Sequence, residues 1–262
     1  MSNAMARTVT AAVLLIGDEL LSGRTQDTNL KTIAEFLAPL GVEVCEARTI
    51  RDVHATIVST VQHLRKTYDY LFTTGGIGPT HDDITADAIA AVFERRIGVR
   101  ADALALLEAH YAGRGMEINE GRRRMARIPD GALLIANPVS AAPGFQIGNV
   151  FVMAGVPSVM RGMLQQIGDR IDGGEVVQSH TVRGKGLLEG NIAGPLAEIA
   201  RAAPGVNFGS YPWMRPGGPR GPDFGVNLVA RGRDPDTLAA AVQALAELVR
   251  AEGVKPEIDP KD

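Results

Sequence analysis

The chain has 262 residues, 45% of them hydrophobic and 22% charged, and a formal net charge of −3. That is the make-up of an ordinary globular protein of one large or two modest domains, without the basic field that draws nucleic acid. Its single cysteine, Cys45, excludes an internal disulfide and a multi-cysteine metal site, and no apolar run approaches the roughly 20 residues of a membrane span. Cysteine usage suits a reducing compartment, so a cytoplasmic location is expected. The opening Met-Ser-Asn-Ala reads as an expression scar, with Met5 as the natural start.

Val9–Ile16 is a continuous apolar run without helical period, which predicts a buried strand. It ends in Gly17-Asp18-Glu19, and a turn at the C-terminal end of a central strand is where open α/β sheets place ligands. Asp18 and Glu19 are therefore candidate rim residues. Thr28 or Asn29 caps a predicted helix that Gly41 stops. Val42–Ile50 alternates as a strand. Asp52 follows it, either as the N-cap of a helix at 53–66 or reaching across the strand ends.

Tyr70–Thr74 predicts a third strand and delivers the most informative stretch, Leu71-Phe72-Thr73-Thr74-Gly75-Gly76-Ile77-Gly78-Pro79-Thr80-His81-Asp82-Asp83. Three glycines in four positions let the backbone turn sharply and leave its amides uncovered. A strand, a glycine loop and a helix start together hold phosphate, through free N–H groups and the helix dipole. Two aspartates there would repel a phosphate unless a divalent cation stood between them, or one of them simply caps a helix at 82–95. Thr73, Thr74, Gly75, Gly76, Gly78, Asp82 and Thr85 are the candidate ligand contacts of this stretch.

The order so far, β-α-β-α-β-α with short connections, predicts a parallel sheet with right-handed crossovers. Helices are expected at 101–113 and 116–127. The second carries an arginine cluster, from which Arg123 or Arg127 is the candidate for reaching a phosphate. A strand at 132–135 leads into a small-residue loop, 137–145, whose Asn137 is a candidate contact. Val150–Met153 predicts another strand, then a turn containing Gly155, Pro157 and Ser158, then a helix at 159–171. That turn is a candidate far wall of the same crevice. Beyond Gly173 the order becomes β-α-β-β-α: strands at 178–182, 206–211 and 224–230, helices at 189–203 and from Pro235 to about Ala251, and a Pro/Gly-rich link at 212–222. The domains are therefore expected at 5–173 and 174–252, with 253–262 a mobile tail.

No P-loop is present, GGIGPT is not the dinucleotide fingerprint, and neither a nucleophile-elbow GxSxG nor HExxH occurs. The string TTGGIGPTHDDITADAI resembles the signature of the MoaB/MogA family of molybdopterin-binding domains. GDELLSGRTQDTN, NPVSAAPGF and AGVPSVM resemble segments of its CinA branch, the competence/damage-inducible proteins. RGKGLLEGNIAG and VNFGSYP resemble the small KH-like domain that follows there, and the amidase domain of CinA has no counterpart. This resemblance implies a three-layer α/β/α fold with a mostly parallel sheet, followed by a small α+β domain.

By position, Thr73, Thr74, Gly75, Gly76 and Gly78 match the phosphate loop of the family, Asp83 and Asp52 its two aspartates for magnesium-assisted chemistry, and Ser158 a ligand-contacting position. Ser140 stands where glycine is usual and Ala154 where proline is usual. The implied function is a metal-dependent nucleotide pyrophosphatase acting on ADP-ribose, FAD or a similar dinucleotide, with Mg²⁺ or Co²⁺ held by Asp52 and Asp83. The alternatives are a molybdopterin-adenylating protein of molybdenum cofactor biosynthesis, or a pterin- or nucleotide-binding module without catalysis. The expected partners are a nucleotide or pterin phosphate and further copies of the chain, as a dimer or trimer, with no nucleic acid and no membrane.

Overall fold

The computed structural model describes residues 8–216 and 223–260. The scar and start at 1–5, the link at 217–222 and the last two residues of the tail lie outside the described residues. The chain divides into two compact units between Glu175 and Val176. Among the described residues no helix is long and apolar enough to cross a membrane.

The first unit is built on strand β1 (Val9–Ile16), which lies inside a six-stranded sheet. β2 (Val42–Ile50) and β3 (Tyr70–Thr74) flank β1, both parallel to it. β8 (Val150–Met153) runs parallel on the far side of β3. β7 (Gly144–Ile147) and β6 (Leu133–Ile135) extend that side antiparallel, so the order is β2-β1-β3-β8-β7-β6. The apolar run of β1 makes sense here, because both faces of the strand are covered. Ala12, Leu14 and Ile16 enter one core with helices α3 (His54–Thr67) and α4 (Thr85–Val92). Ala11, Val13 and Leu15 enter the other with α2 (Asn29–Leu37) and α7 (Pro157–Leu164). This is the expected three-layer α/β/α fold with a mostly parallel sheet. Phe72 of β3 and Phe151 of β8 are in register and stack at 5.0 Å between centroids, locking the centre of the second core.

Several local expectations change. The turn after β1 coils into a short helix, α1 (Asp18–Leu21). Thr28 is the N-cap residue of α2 as expected, but its side chain makes no capping bond; the preceding Asp27 supplies it, its carboxylate accepting from the amides of Asn29 and Leu30 at 3.1 Å each. α4 starts at Thr85 rather than 82, because the residues before it form a separate turn. The helix expected at 116–127 shrinks to α6 (Glu120–Arg124), after α5 (Ala101–Ala112). Arg127–Pro129 instead forms β5, paired antiparallel with β4 (Ile97–Val99). Three-residue strands leave too few positions for a period to show. The helix at 159–171 becomes α7, starting two residues earlier and ending at Leu164, with a separate 3₁₀ turn at Gly168–Arg170.

The second unit is a four-stranded antiparallel sheet in the order β10-β11-β9-β12, which bears out the small α+β unit. Its strands are β9 (Gln178–Lys185), β10 (Asn207–Arg215), β11 (Asp223–Gly232) and β12 (Pro256–Ile258), and its helices α8 (Glu189–Ala202) and α9 (Pro235–Ala251). Val182, Val226, Leu228 and Ala230 of the sheet pack on Leu238, Val242, Leu245 and Val249 of α9. Pro212 lies within β10 rather than in a link, which an edge strand tolerates because the missing N–H faces no neighbour. The tail is also corrected: Pro256–Ile258 pairs with β9, and the Asp259 carboxylate accepts from the Thr181 amide at 2.8 Å. The backbone groups on that edge of β9 need a partner, and the polar tail supplies them.

Candidate functional site

The C-terminal ends of β1, β2, β3 and β8 lie side by side, and residues at or just after the ends of β1, β3 and β8 line one crevice. At its floor the chain after β3 turns through Gly75 (φ +101°) and Gly76 (φ +68°). A Cβ on Gly75 would lie 2.0 Å from the Ile16 carbonyl, and one on Gly76 would lie 2.1 Å from the Thr85 hydroxyl. Only glycine fits either place. The Gly75 amide donates to the Met153 carbonyl at 3.1 Å and the Thr85 amide to the Gly76 carbonyl at 2.9 Å. The turn is thus pinned to the ends of β1 and β8 and to the start of α4.

Asp52 does not cap the helix after it. Its carboxylate reaches across the strand ends and accepts from the Asp18 amide at 3.0 Å, and its Oδ1 lies 3.5 Å from where a Gly76 Cβ would be. Partial burial pushes the Asp52 carboxyl above its ordinary range, and the carboxylates of Glu19, Asp18 and Asp82 push it further against the opposing pull of the Asp18 amide. Asp18 is held the other way. Its carboxylate pairs with both ends of the Arg51 guanidinium at 2.9 and 3.0 Å, which lowers its pKa.

Asp83 is held within its own turn. Its Oδ2 accepts from the Thr80 amide at 2.7 Å and the Thr80 hydroxyl at 2.5 Å, and it lies against Gly78. The carboxylates that bear on Asp52 are those of Glu19, Asp18 and Asp82. Among the described residues no group of three or more His, Cys, Asp or Glu side chains is arranged to hold a metal ion. The donor set still suits one kind of ion. Mg²⁺ takes one or two carboxylates and keeps several waters, and an Asp52 whose ionised form is disfavoured by neighbouring carboxylates is relieved by a hard cation.

Other expected contacts fall into different roles. Thr73 and Thr85 are fully buried, and each hydroxyl lacks a hydrogen-bond partner. Thr85 packs against the glycine turn, its hydroxyl close to Gly76. Asn137 spends its amide on its own loop: Nδ2 donates to the Ser140 hydroxyl and the Ala142 carbonyl, and Oδ1 accepts from the amides of Val139 and Ser140. It shapes the loop and has nothing left for a ligand. Gly155, Pro157 and Ser158 are exposed after β8, with Pro157 at the first position of α7.

The arginines, too, take different places. Arg127 pairs with Asp87 at 2.6 Å, both side chains about seven-tenths covered, and Arg123 is exposed. Arg124 donates from Nη2 to the Asp83 carbonyl at 3.0 Å, and both it and Arg127 line a small pocket with Gly78 and Asp83. Four arginines within six residues gave no means of choosing among them, because the break after α6 sets their directions. Arg127→Ala is expected to cost about 1–3 kcal/mol by stranding the Asp87 carboxylate, measured as a shift in urea midpoint with unchanged slope. An unchanged midpoint would show that Asp87 is solvated without its partner.

Asn29, a residue outside the expected set, also belongs to the crevice. It is 5% exposed, its Nδ2 donates to the Gly155 carbonyl at 2.8 Å, and its Oδ1 has no partner. Helix periodicity conceals it, since the first residue of a helix carries no burial signal of its own.

Residues 12–172 match the model of a family described as "Probable molybdopterin binding domain", and residues 185–257 match one described as "FAD synthase, middle domain". A protein of Archaeoglobus fulgidus is 32% identical over 237 residues, covering 90% of this chain and 96% of its own length. A CinA-like protein of Gemmatimonas aurantiaca is 35% identical over 212 residues, covering 76% of this chain but 50% of its own, so the chain spans about half the length of that relative. The crystal structure of the protein CinA, of unknown function, from Thermoplasma acidophilum superposes with a TM-score of 0.57 at 31% identity, over 62% of this chain and 98% of that one. With the glycine turn, the strand-end acids and the three-layer fold in place, the chain belongs to the CinA-like branch of the MoaB/MogA molybdopterin-binding domain family.

Proposed function

We propose that the crevice binds a nucleotide diphosphate and hydrolyses its pyrophosphate bond with the help of a divalent cation. The observation that carries this reading is the meeting of two opposite devices at Gly76. A bare, pinned backbone turn favours a phosphate, and the Asp52 carboxylate beside it, crowded by other acids, favours a cation. A diphosphate with a cation answers both. Asp52 is the group that holds the cation, with Glu19, Asp18 and Asp82 around it. When bound, Mg²⁺ or Co²⁺ neutralises phosphate oxygens and lowers the pKa of a coordinated water. The amides of the turn orient the phosphate. Arg124 and Thr80 keep the Asp83 turn in shape, the first through the carbonyl and the second through the carboxylate.

ADP-ribose and FAD are the substrates to try first. Incubation of each with the protein and Mg²⁺ or Co²⁺ is expected to release AMP, and release without added metal or none at all would defeat the reading. The second reading, binding or adenylation of a pterin phosphate, draws on the description of the matched family. Under it, molybdopterin with ATP is consumed and ADP-ribose is left intact.

A further inference from the structure

The second sheet treats its two edges differently. β12 pairs with β9 and covers one of them. At the other, β10 pairs with β11, and no described residue pairs with its outer side. The Gly186 amide donates to the Phe224 carbonyl at 2.7 Å, so Phe224 of β11 turns toward β9. By the alternation of an antiparallel strand, Gly225, Asn227 and Val229 then turn toward β10, where they meet Trp213, Tyr211 and Gly209. The N–H and C=O groups of Phe208 and Ser210 therefore face outward, as does the nitrogen of Pro212, which has no proton to offer. A row of unpaired backbone donors and acceptors is matched by another extended backbone.

The same two residues also line a groove of about 530 Å³ between α8 and β10. Ala193, Leu196, Ala197 and Ala200 of α8 and Phe208 of β10 make it apolar, and the alanines are exposed. Among the described residues Glu189 is the one charged group of its wall, and its carboxylate accepts from the Ser210 hydroxyl at 2.6 Å. With no lysine or arginine in the wall, a nucleic-acid strand finds no counter-charge there. The occupant is an extended polypeptide edge that brings apolar surface with it.

We propose that this occupant is a second copy of the chain, with β10 antiparallel to β10 and α8 antiparallel to α8 about one twofold axis. Such a contact is self-complementary, so every hydrogen bond across it is made twice. The charges of α8 fit this arrangement. Glu189 stands in its first turn and Arg201 in its last. They lie about 18 Å apart along the helix, at about 1.5 Å per residue, and cannot meet within one chain. In the antiparallel pair Glu189 of each copy comes beside the end of α8 that carries Arg201 in the other, and the two helix dipoles oppose each other. The contact lies wholly on the second unit and is independent of what the crevice binds.

The test is the molar mass of the full chain by sedimentation equilibrium, from micromolar to submillimolar concentration. The parent is expected to associate. Ala197→Glu sets a carboxylate into the groove of each copy and is expected to weaken association at least about tenfold. Glu189→Arg is expected to weaken it as well, and Arg201→Glu added to Glu189→Arg to restore it, a rescue that no contact within one chain produces. If Ala197→Glu does not fold, the charge-reversal pair decides. A parent that stays monomeric overturns the proposal. So does one whose association is untouched by both single variants, since its contact then lies elsewhere on the chain. A monomer that instead takes up an alternating valine–threonine peptide, or single-stranded oligouridylate, gives the groove to that occupant and overturns the proposal too.

Discussion

Gly75→Ala is expected to destabilise the first unit by about 2–6 kcal/mol, adding about 1–3 for a left-handed non-glycine backbone and about 1–3 for overpacking. The added methyl would lie 2.0 Å from the Ile16 carbonyl, which is backbone and cannot swing aside. Gly155 stands close on another side, its own Cβ position 3.3 Å from Gly75 Cα, so the turn has little room to retreat. Gly23→Ala is the control. Its φ is +71° but a Cβ there meets nothing within 4 Å, so it carries the backbone strain alone, about 1–2 kcal/mol. Guanidinium denaturation of both variants separates the two costs. Equal losses would mean that close approach does not constrain the turn and that the phosphate loop is looser than its contacts imply.

Asp52→Asn is expected to lower AMP release from ADP-ribose by at least about a hundredfold, the scale of losing one group that stabilises transition-state charge, without unfolding the protein. The asparagine oxygen can still accept from the Asp18 amide, so the link between the ends of β1 and β2 survives. Stability is expected to move in the opposite direction to activity. The folded state raises the Asp52 pKa above its ordinary 3.8, chiefly by burial. A raised carboxyl favours folding while protonated, and that advantage is lost as pH rises through the folded value. In metal-free buffer the variant therefore gains stability relative to the parent between acid and neutral pH, and the two converge below pH 3.8. Urea midpoints across that range check the direction. A gap that widens on acidification, or a variant that hydrolyses ADP-ribose as the parent does, would remove Asp52 from the role assigned to it.

The two results are informative together because Gly75 and Asp52 serve the crevice in different ways. Gly75 is a matter of space: the turn exists only if nothing projects toward β1. Asp52 is a matter of charge: its position is tolerated by the fold and made useful by what it can hold. A family member that only bound a neutral ring would need the first and not the second.

What the amino-acid string determined by itself was whatever is repeated or local. The apolar runs of β1, β3 and β8 announced a buried parallel sheet because both faces of each strand needed covering. The Gly-Gly-x-Gly turn showed itself because glycine alone enters the left-handed region without cost, and Asp234-Pro235 marked the start of α9, where the Asp234 carboxylate does accept from the Thr237 amide at 2.7 Å. The tertiary structure alone decided which polar groups meet. Asp52 meets the Asp18 amide and the charges of Glu19 and Asp82 from other loops, Arg124 reaches the Asp83 carbonyl, and Asn29 reaches a carbonyl 126 residues away. Periodicity and turn chemistry report a residue's own backbone and burial, whereas hydrogen bonds between strand ends depend on the order in which the strands lie in the sheet. That order is set by packing across the whole unit, and nothing local in the chain records it.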